Sequence, residues 1–297
     1  MAAIGNDDFF KSFLQQRINN NEAENNNKPQ ATAVKTVNKI QPQYMSSNPI
    51  INNKFTPNNN ARLNVASMYA KSYVTPQIAQ AQSLKSINKI VDPTIREALE
   101  KLREVKFLPG DLDYLNSMGV NTVYKSGEEA VKTIIERGIK VEFAPVDSPK
   151  AHAQWDCENN RIVINDKYKD TKDPAVILAI SEAMFHEAGH AKDNDGISSI
   201  QEEIDCLALN TLAFRYHLSK YQKVFDNAQD AAIINDGVAL YARLYFDKDP
   251  NKQALVNRVL DKYGDLPFTS PNHSIPSNSL LMSGITKAKG LSSIPQE

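Results

Sequence analysis

The chain has 297 residues, room for one large domain or two small ones, and its apolar fraction of 41% is slightly low for a chain folded along its whole length. Lys plus Arg (34) nearly balances Asp plus Glu (35), so bulk charge argues against a nucleic-acid or membrane-surface partner. No apolar run approaches the roughly 20 residues of a transmembrane helix. No Sec-type leader is evident, and two cysteines, Cys157 and Cys206, cannot make a disulfide framework. These readings predict a cytoplasmic protein, though export by a route without a cleaved signal is compatible with them.

Residues 1–90 read as a disordered, Asn/Gln-rich region. The tracts Asn19-Asn20-Asn21, Asn25-Asn26-Asn27 and Asn58-Asn59-Asn60 are separated by more polar residues. Such a segment buries too little apolar surface to offset its ordering entropy. A short apolar patch, Phe9-Phe10 with Phe13-Leu14, is compatible with a transient helix.

The folded part is predicted over 91–268. Asp92-Pro93 is a helix start, an acidic N-cap followed by proline at the first helical position, and Ile95, Leu99 and Leu102 follow at helical spacing. A short helix runs from Asp111 towards Met118 and stops at Gly119. Ser126-Gly127-Glu128-Glu129 is a capping box opening a helix that ends at Gly138. Ile139 to Phe143 alternates with period two. Ala151 to Trp155 and Arg161 to Asn165 flank a polar turn and read as a hairpin, and Thr122 to Tyr124 reads as a further strand.

Asp173-Pro174 starts the next helix, which is apolar almost all round from Ala175 to Ala188 and is therefore expected inside the protein. Its last turns carry His186-Glu187-Ala188-Gly189-His190, an H-E-x-x-H motif. Residues four apart lie on one face of a helix, so the two imidazoles can hold one Zn²⁺ while Glu187 serves as general base towards a water. The competing reading is a surface helix with solvated histidines, and the apolar surroundings weigh against it. Gly189 costs about 1 kcal/mol relative to alanine in a helix, which points to a close approach by another backbone. The third metal ligand must come from elsewhere. On the helix predicted from Ser198 to about Leu218, Glu203 lies at the edge of the buried face and Glu202 points nearly the opposite way. Glu203 is the preferred ligand and Glu202 the second choice.

With these residues the chain resembles a gluzincin, the zinc peptidase clan with H-E-x-x-H on one helix and a metal-binding glutamate on the next. The likeness rests on His186, Glu187, His190 and Glu203 and spans about residues 139–218. It implies a zincin-like fold, Zn²⁺ as cofactor, and a zinc-dependent metallopeptidase acting on a peptide or protein substrate held along an edge strand. The chain departs from the pattern in a short gap between His190 and Glu203. It also has Leu207 where many members carry an aspartate four residues after the glutamate. The metzincin extension is absent.

The remaining candidates have supporting roles. Glu182 and Asp205 could orient the histidines. Tyr241, Tyr245 and His273, with Tyr216 and His217, are options for an oxyanion donor. Val238 to Tyr245 reads as a core helix, Asp249-Pro250 as the start of a last helix ending near Gly264, and 269–297 as an irregular tail. The predicted fold is α+β: a small, mainly antiparallel sheet packed on the motif helix, with a helical C-terminal half. A non-catalytic interaction protein that keeps zinc as a four-ligand clasp is the alternative to the enzyme.

Overall fold

The computed structural model describes residues 92–148, 150–193, 195–228, 237–271 and 279–292, together with Ile87 and Ile90. The expectations for 1–86 and for His273 fall outside the described residues.

Helix α1 (Pro93–Glu104) starts where the Asp92-Pro93 signal places it, with the Asp92 carboxylate accepting from Thr94 N and Ile95 N at 2.9 and 3.0 Å. Helix α2 (Asp111–Ser117) ends before Gly119, which takes φ 82°. Helix α3 (Gly127–Glu136) is capped by Ser126 Oγ, which accepts from Glu129 N. Three strands follow: β1 (Lys140–Ala144), β2 (Ala153–Asp156) and β3 (Arg161–Asn165).

The predicted hairpin is present, with β2 antiparallel to β3. The sheet order is β1-β3-β2, and β1 runs parallel to β3, so the sheet is mixed rather than mainly antiparallel. Period-two alternation identifies a strand but carries no information on its direction. Thr122 to Tyr124 is not a strand. It is a loop beside an isolated bridge between Lys106 and Ser126, and the Tyr124 hydroxyl donates to Ala188 O at 2.9 Å.

Two long helices dominate the second half of the chain: α4 (Pro174–Asp193) and α5 (Ile200–Lys220), which pack on one another. Short α6 (Gln222–Asp226), α7 (Val238–Phe246) and α8 (Gln253–Tyr263) complete the helical half. The tail expected to be irregular contains α9 (Leu280–Ala288), whose Leu281, Met282 and Ile285 are buried against α8. Ser279 caps it, and these apolar residues at helical spacing outweigh the Ser/Pro-rich flanks.

The core has two main parts. One joins α1, α3, the sheet and α4 through residues such as Leu99, Leu102, Ile162, Ile180 and Phe185. The other joins α5, α7, α8 and α9 through Ile204, Leu212, Tyr245, Val256 and Met282. The contact between α4 and α5 forms the seam between them. No helix among the described residues is long and apolar enough to cross a membrane.

Candidate metal centre

Helix α4 is buried on nearly every side, as its apolar sequence requires, and its motif residues point into the seam with α5. His186 Nε2 and His190 Nε2 face each other at 3.1 Å. From α5, Glu203 brings Oε2 to 3.6 Å from His186 Nε2 and Oε1 to 3.7 Å from His190 Nε2. Glu203 Oε2 is buried and has no hydrogen-bond partner. Two ring nitrogens and an orphaned carboxylate oxygen thus converge on one point, an arrangement costly for a buried polar group and satisfied by a cation.

Glu187 also lies within ligand range, with its carboxylate, His186 and His190 offering atoms within 4.8 Å of one another. Its Oε2, however, accepts from the backbone N–H of Trp155 at 2.8 Å. Glu203 rather than Glu187 is therefore the carboxylate with a buried oxygen that no hydrogen bond satisfies. The group as a whole can hold a metal ion.

The strand hairpin sets the other wall. Asn165 N donates to His152 O at 3.0 Å, so His152 and Asn165 form a hydrogen-bonded pair. In antiparallel register the next residue, Ala153, opposite Ile164, and Trp155, opposite Ile162, turn their backbone groups away from β3. β2 is one of the two edge strands of the sheet and packs on α4. A cleft of about 1000 Å³ runs beside it, lined by Ala153, His186, Glu187, Tyr241, Arg258 and Lys262 among others.

Electrostatics follow from burial and proximity. Burial alone would raise the pKa of Glu203, but the nearby imidazoles of His186 and His190 and the charge of Lys262 hold it down at about 2. Burial alone would lower the pKa of His190, but Cys206, Glu202 and Glu203 together raise it well above the ordinary value. Tyr241 is 4% exposed, and its hydroxyl has no hydrogen-bond partner. Burial raises its pKa against the pull of Arg258, so the phenol stays protonated at neutral pH.

The supporting residues are placed differently from the expectation. Glu182 does not orient His186; it accepts from His217 Nδ1 at 2.9 Å in a fully buried pair. Asp205 accepts from Asn121 N and from Gln201 Nε2, both at 2.8 Å. The Tyr245 hydroxyl donates to Ile204 O at 2.8 Å, inside the core. The residue that orients His190 is Glu202, whose Oε1 lies 2.6 Å from Nδ1. The helical wheel turns Glu202 away from the site on the assumption that α5 buries one face. In the fold α5 is buried on nearly all sides, and Glu202 and Glu203 are 4% and 8% exposed. The available signal is the Ser199-x-x-Glu202 spacing, which marks Glu202 as part of a helix's first turn, next to the end of the motif helix. Tyr263 and Lys262 of α8 also lie close enough to Glu203 to interact with its charge, and nothing in their sequence context marks them.

Gly189 explains itself through α5. A Cβ there would stand 2.6 Å from Cys206 Sγ and 3.1 Å from Leu209 Cδ1. The close approach is by side chains of the neighbouring helix, not by its backbone.

Comparison with known proteins finds no matching family, no similar curated sequence and no similar solved structure.

Proposed function

We propose that this chain is a zinc-dependent metallopeptidase of zincin-like, gluzincin-type build. The observation that carries the proposal is the convergence of His186, His190 and Glu203 from two adjacent helices. Two nitrogens bound at 2.0–2.1 Å to one tetrahedral ion stand about 3.3–3.4 Å apart. The separations of 3.1, 3.6 and 3.7 Å bracket that value. The orphaned Glu203 Oε2 fits the same ion. His186, His190 and Glu203 would therefore hold the zinc. When bound, the ion would lower the pKa of a coordinated water towards neutrality and polarise the scissile carbonyl.

The chain's own residues would do the rest. Glu187 takes the proton of the attacking water and returns it to the leaving amine. The Trp155 N–H holds one of its oxygens, which aims the other. The outward N–H and C=O groups of Ala153 bind the backbone of an extended peptide as an added strand. Tyr241 lines the cleft with its hydroxyl buried beneath the surface, and turning that hydroxyl outward would let it donate to the oxygen that gains charge in the transition state.

Three protein donors beside an open cleft favour this reading over a four-ligand structural clasp, which would need a further donor closing the site. The test combines metal analysis with a general peptide-cleavage assay. Wild-type protein should carry one zinc per chain and cleave peptides. Glu187→Gln should keep the zinc and lose turnover by a factor of about 10² to 10⁴. Iron in place of zinc, or undiminished hydrolysis by Glu187→Gln, would overturn the assignment.

A further inference from the structure

A second group of metal-ligating side chains lies beside the first site, at the junction of α4 and α5. Asp193 is the last residue of α4, Asp195 lies two residues on, and Glu202 is in the first turn of α5. One carboxylate oxygen from each lies within 4.8 Å of the others. At neutral pH three carboxylates at that distance repel one another.

The further observation is Glu202. It is 4% exposed, one oxygen is occupied by His190, and its Oε2 is buried with no hydrogen-bond partner. Asp195 repeats the pattern: Oδ1 accepts from Ile197 N at 2.8 Å, while Oδ2 is buried and has no partner. Asp193 Oδ2 accepts from Ser270 Oγ at 3.4 Å, a long bond. Leaving a buried carboxylate oxygen unsatisfied is costly, and two in one cluster call for a cation. The C-terminal end of α4 adds to the negative potential there.

We propose that Asp193, Asp195 and Glu202 form a second cation site, adjacent to the histidine site and sharing Glu202 with it, selective for a hard divalent ion, with calcium as the occupant. An all-oxygen donor set suits a hard cation rather than zinc or copper, which favour nitrogen and sulfur donors. Carboxylates drawn from a helix end, a loop and a second helix suit the larger, geometrically tolerant Ca²⁺ better than the strict octahedron of Mg²⁺. The ion clamps the end of the motif helix to the start of the helix that supplies Glu203. Glu202 belongs to both sites, with Oε1 on His190 and Oε2 on the calcium. This site does not depend on the peptidase reading, because its other donors are separate from the histidine site.

The experiment uses full-length, zinc-loaded protein, with CaCl₂ as the probe and NaCl of equal ionic strength as the control. Calcium at a hundred-fold excess over Kd should raise Tm by roughly 5–10 °C, with one equivalent bound by calorimetric titration, and NaCl should not. Asp195→Asn, a near-isosteric change at a half-buried residue, should abolish the calcium shift while zinc content stays at one per chain. Asp193→Asn should do the same, which guards against one variant failing to fold. No calcium binding by wild type at millimolar concentration, or a full shift in both variants, would overturn the site. Loss of zinc from wild type with calcium binding intact would instead count against the histidine site alone.

Discussion

His190 Nδ1 and Glu202 Oε1 are 2.6 Å apart, and this contact decides which nitrogen of His190 is free. An ionised carboxylate only accepts, so Nδ1 must carry the hydrogen and Nε2 is left to face His186 Nε2 and Glu203. Partners of this kind hold a ligating imidazole in tautomer and orientation. Glu202→Gln should therefore keep the fold and weaken zinc affinity about 10- to 100-fold, measured by competition with a chromophoric chelator in calcium-free buffer. Glu203→Ala should lose zinc altogether. Equal zinc affinity in both variants would contradict the division of roles between neighbouring glutamates.

The buried pair of Glu182 and His217 gives a contrasting result. Burial raises the pKa of Glu182, and the bond and charge of His217 only partly oppose it. The carboxylate is thus held in the fold at a cost that grows as it ionises. Glu182→Gln keeps an acceptor for His217 Nδ1 and removes that cost, so its stability at neutral pH should match or exceed wild type in urea denaturation. Its zinc affinity should not change, in contrast to Glu202→Gln. His217→Ala leaves Glu182 buried without a partner and should cost about 3–5 kcal/mol. A drop in zinc affinity in Glu182→Gln would mean that this pair supports the metal centre after all.

Gly189→Ala should destabilise the protein although alanine is the better helix former. The gain in propensity is about 1 kcal/mol, while forcing a methyl into a packed helix contact costs about 1–3 kcal/mol. With Cys206 Sγ 2.6 Å from the new Cβ, a net loss of up to about 2 kcal/mol is expected. Cys206→Ala in the same chain should restore most of it. A double-mutant cycle on denaturation midpoints measures the coupling, and additive effects would place the clash elsewhere.

Acid should unfold the metal-free protein through Glu203. Its folded-state pKa of about 2 is depressed from the ordinary 4.5. The stability it contributes is therefore present above about pH 4.5 and is lost as pH falls towards 2, on the order of 3 kcal/mol in all. His190 has the opposite sign. Its raised pKa contributes stability below pH 6.5 that is lost as pH rises through the folded-state value. Both shifts include the same pairing of His190 with Glu203 and are not added. Glu203→Gln should flatten the acid limb of a stability–pH curve measured after chelation. A curve with the same slope as wild type would show that other carboxylates dominate.

Local signals in the chain carry much of this fold. Asp92-Pro93, Ser126 and Asp173-Pro174 each have a side chain that must cap helix N–H groups, and each helix begins within a residue of its signal. The hairpin is legible because alternation and a polar turn are short-range properties. The parallel pairing of β1 with β3 is not, because strand direction depends on where the chain returns. Helix α8 starts at Gln253 rather than at Asp249-Pro250, because Asp249 and Lys252 instead close a turn with Lys252 at φ 50°. Leu280–Ala288 escapes a reading from sequence because its apolar stripe is short and acquires meaning only against α8.

The spacing of His186, Glu187 and His190 required nothing beyond the chain itself, since a helix places residues four apart on one face wherever it sits. The choice between Glu202 and Glu203, the diversion of Glu182 to His217, and the arrival of Tyr241, Lys262 and Tyr263 at the cleft depend on how α4, α5, α7 and α8 pack. A wheel drawn on one helix assumes a single buried face. Once neighbours surround α5, two adjacent glutamates both turn inward, one to the point where the imidazoles meet and the other to the back of His190.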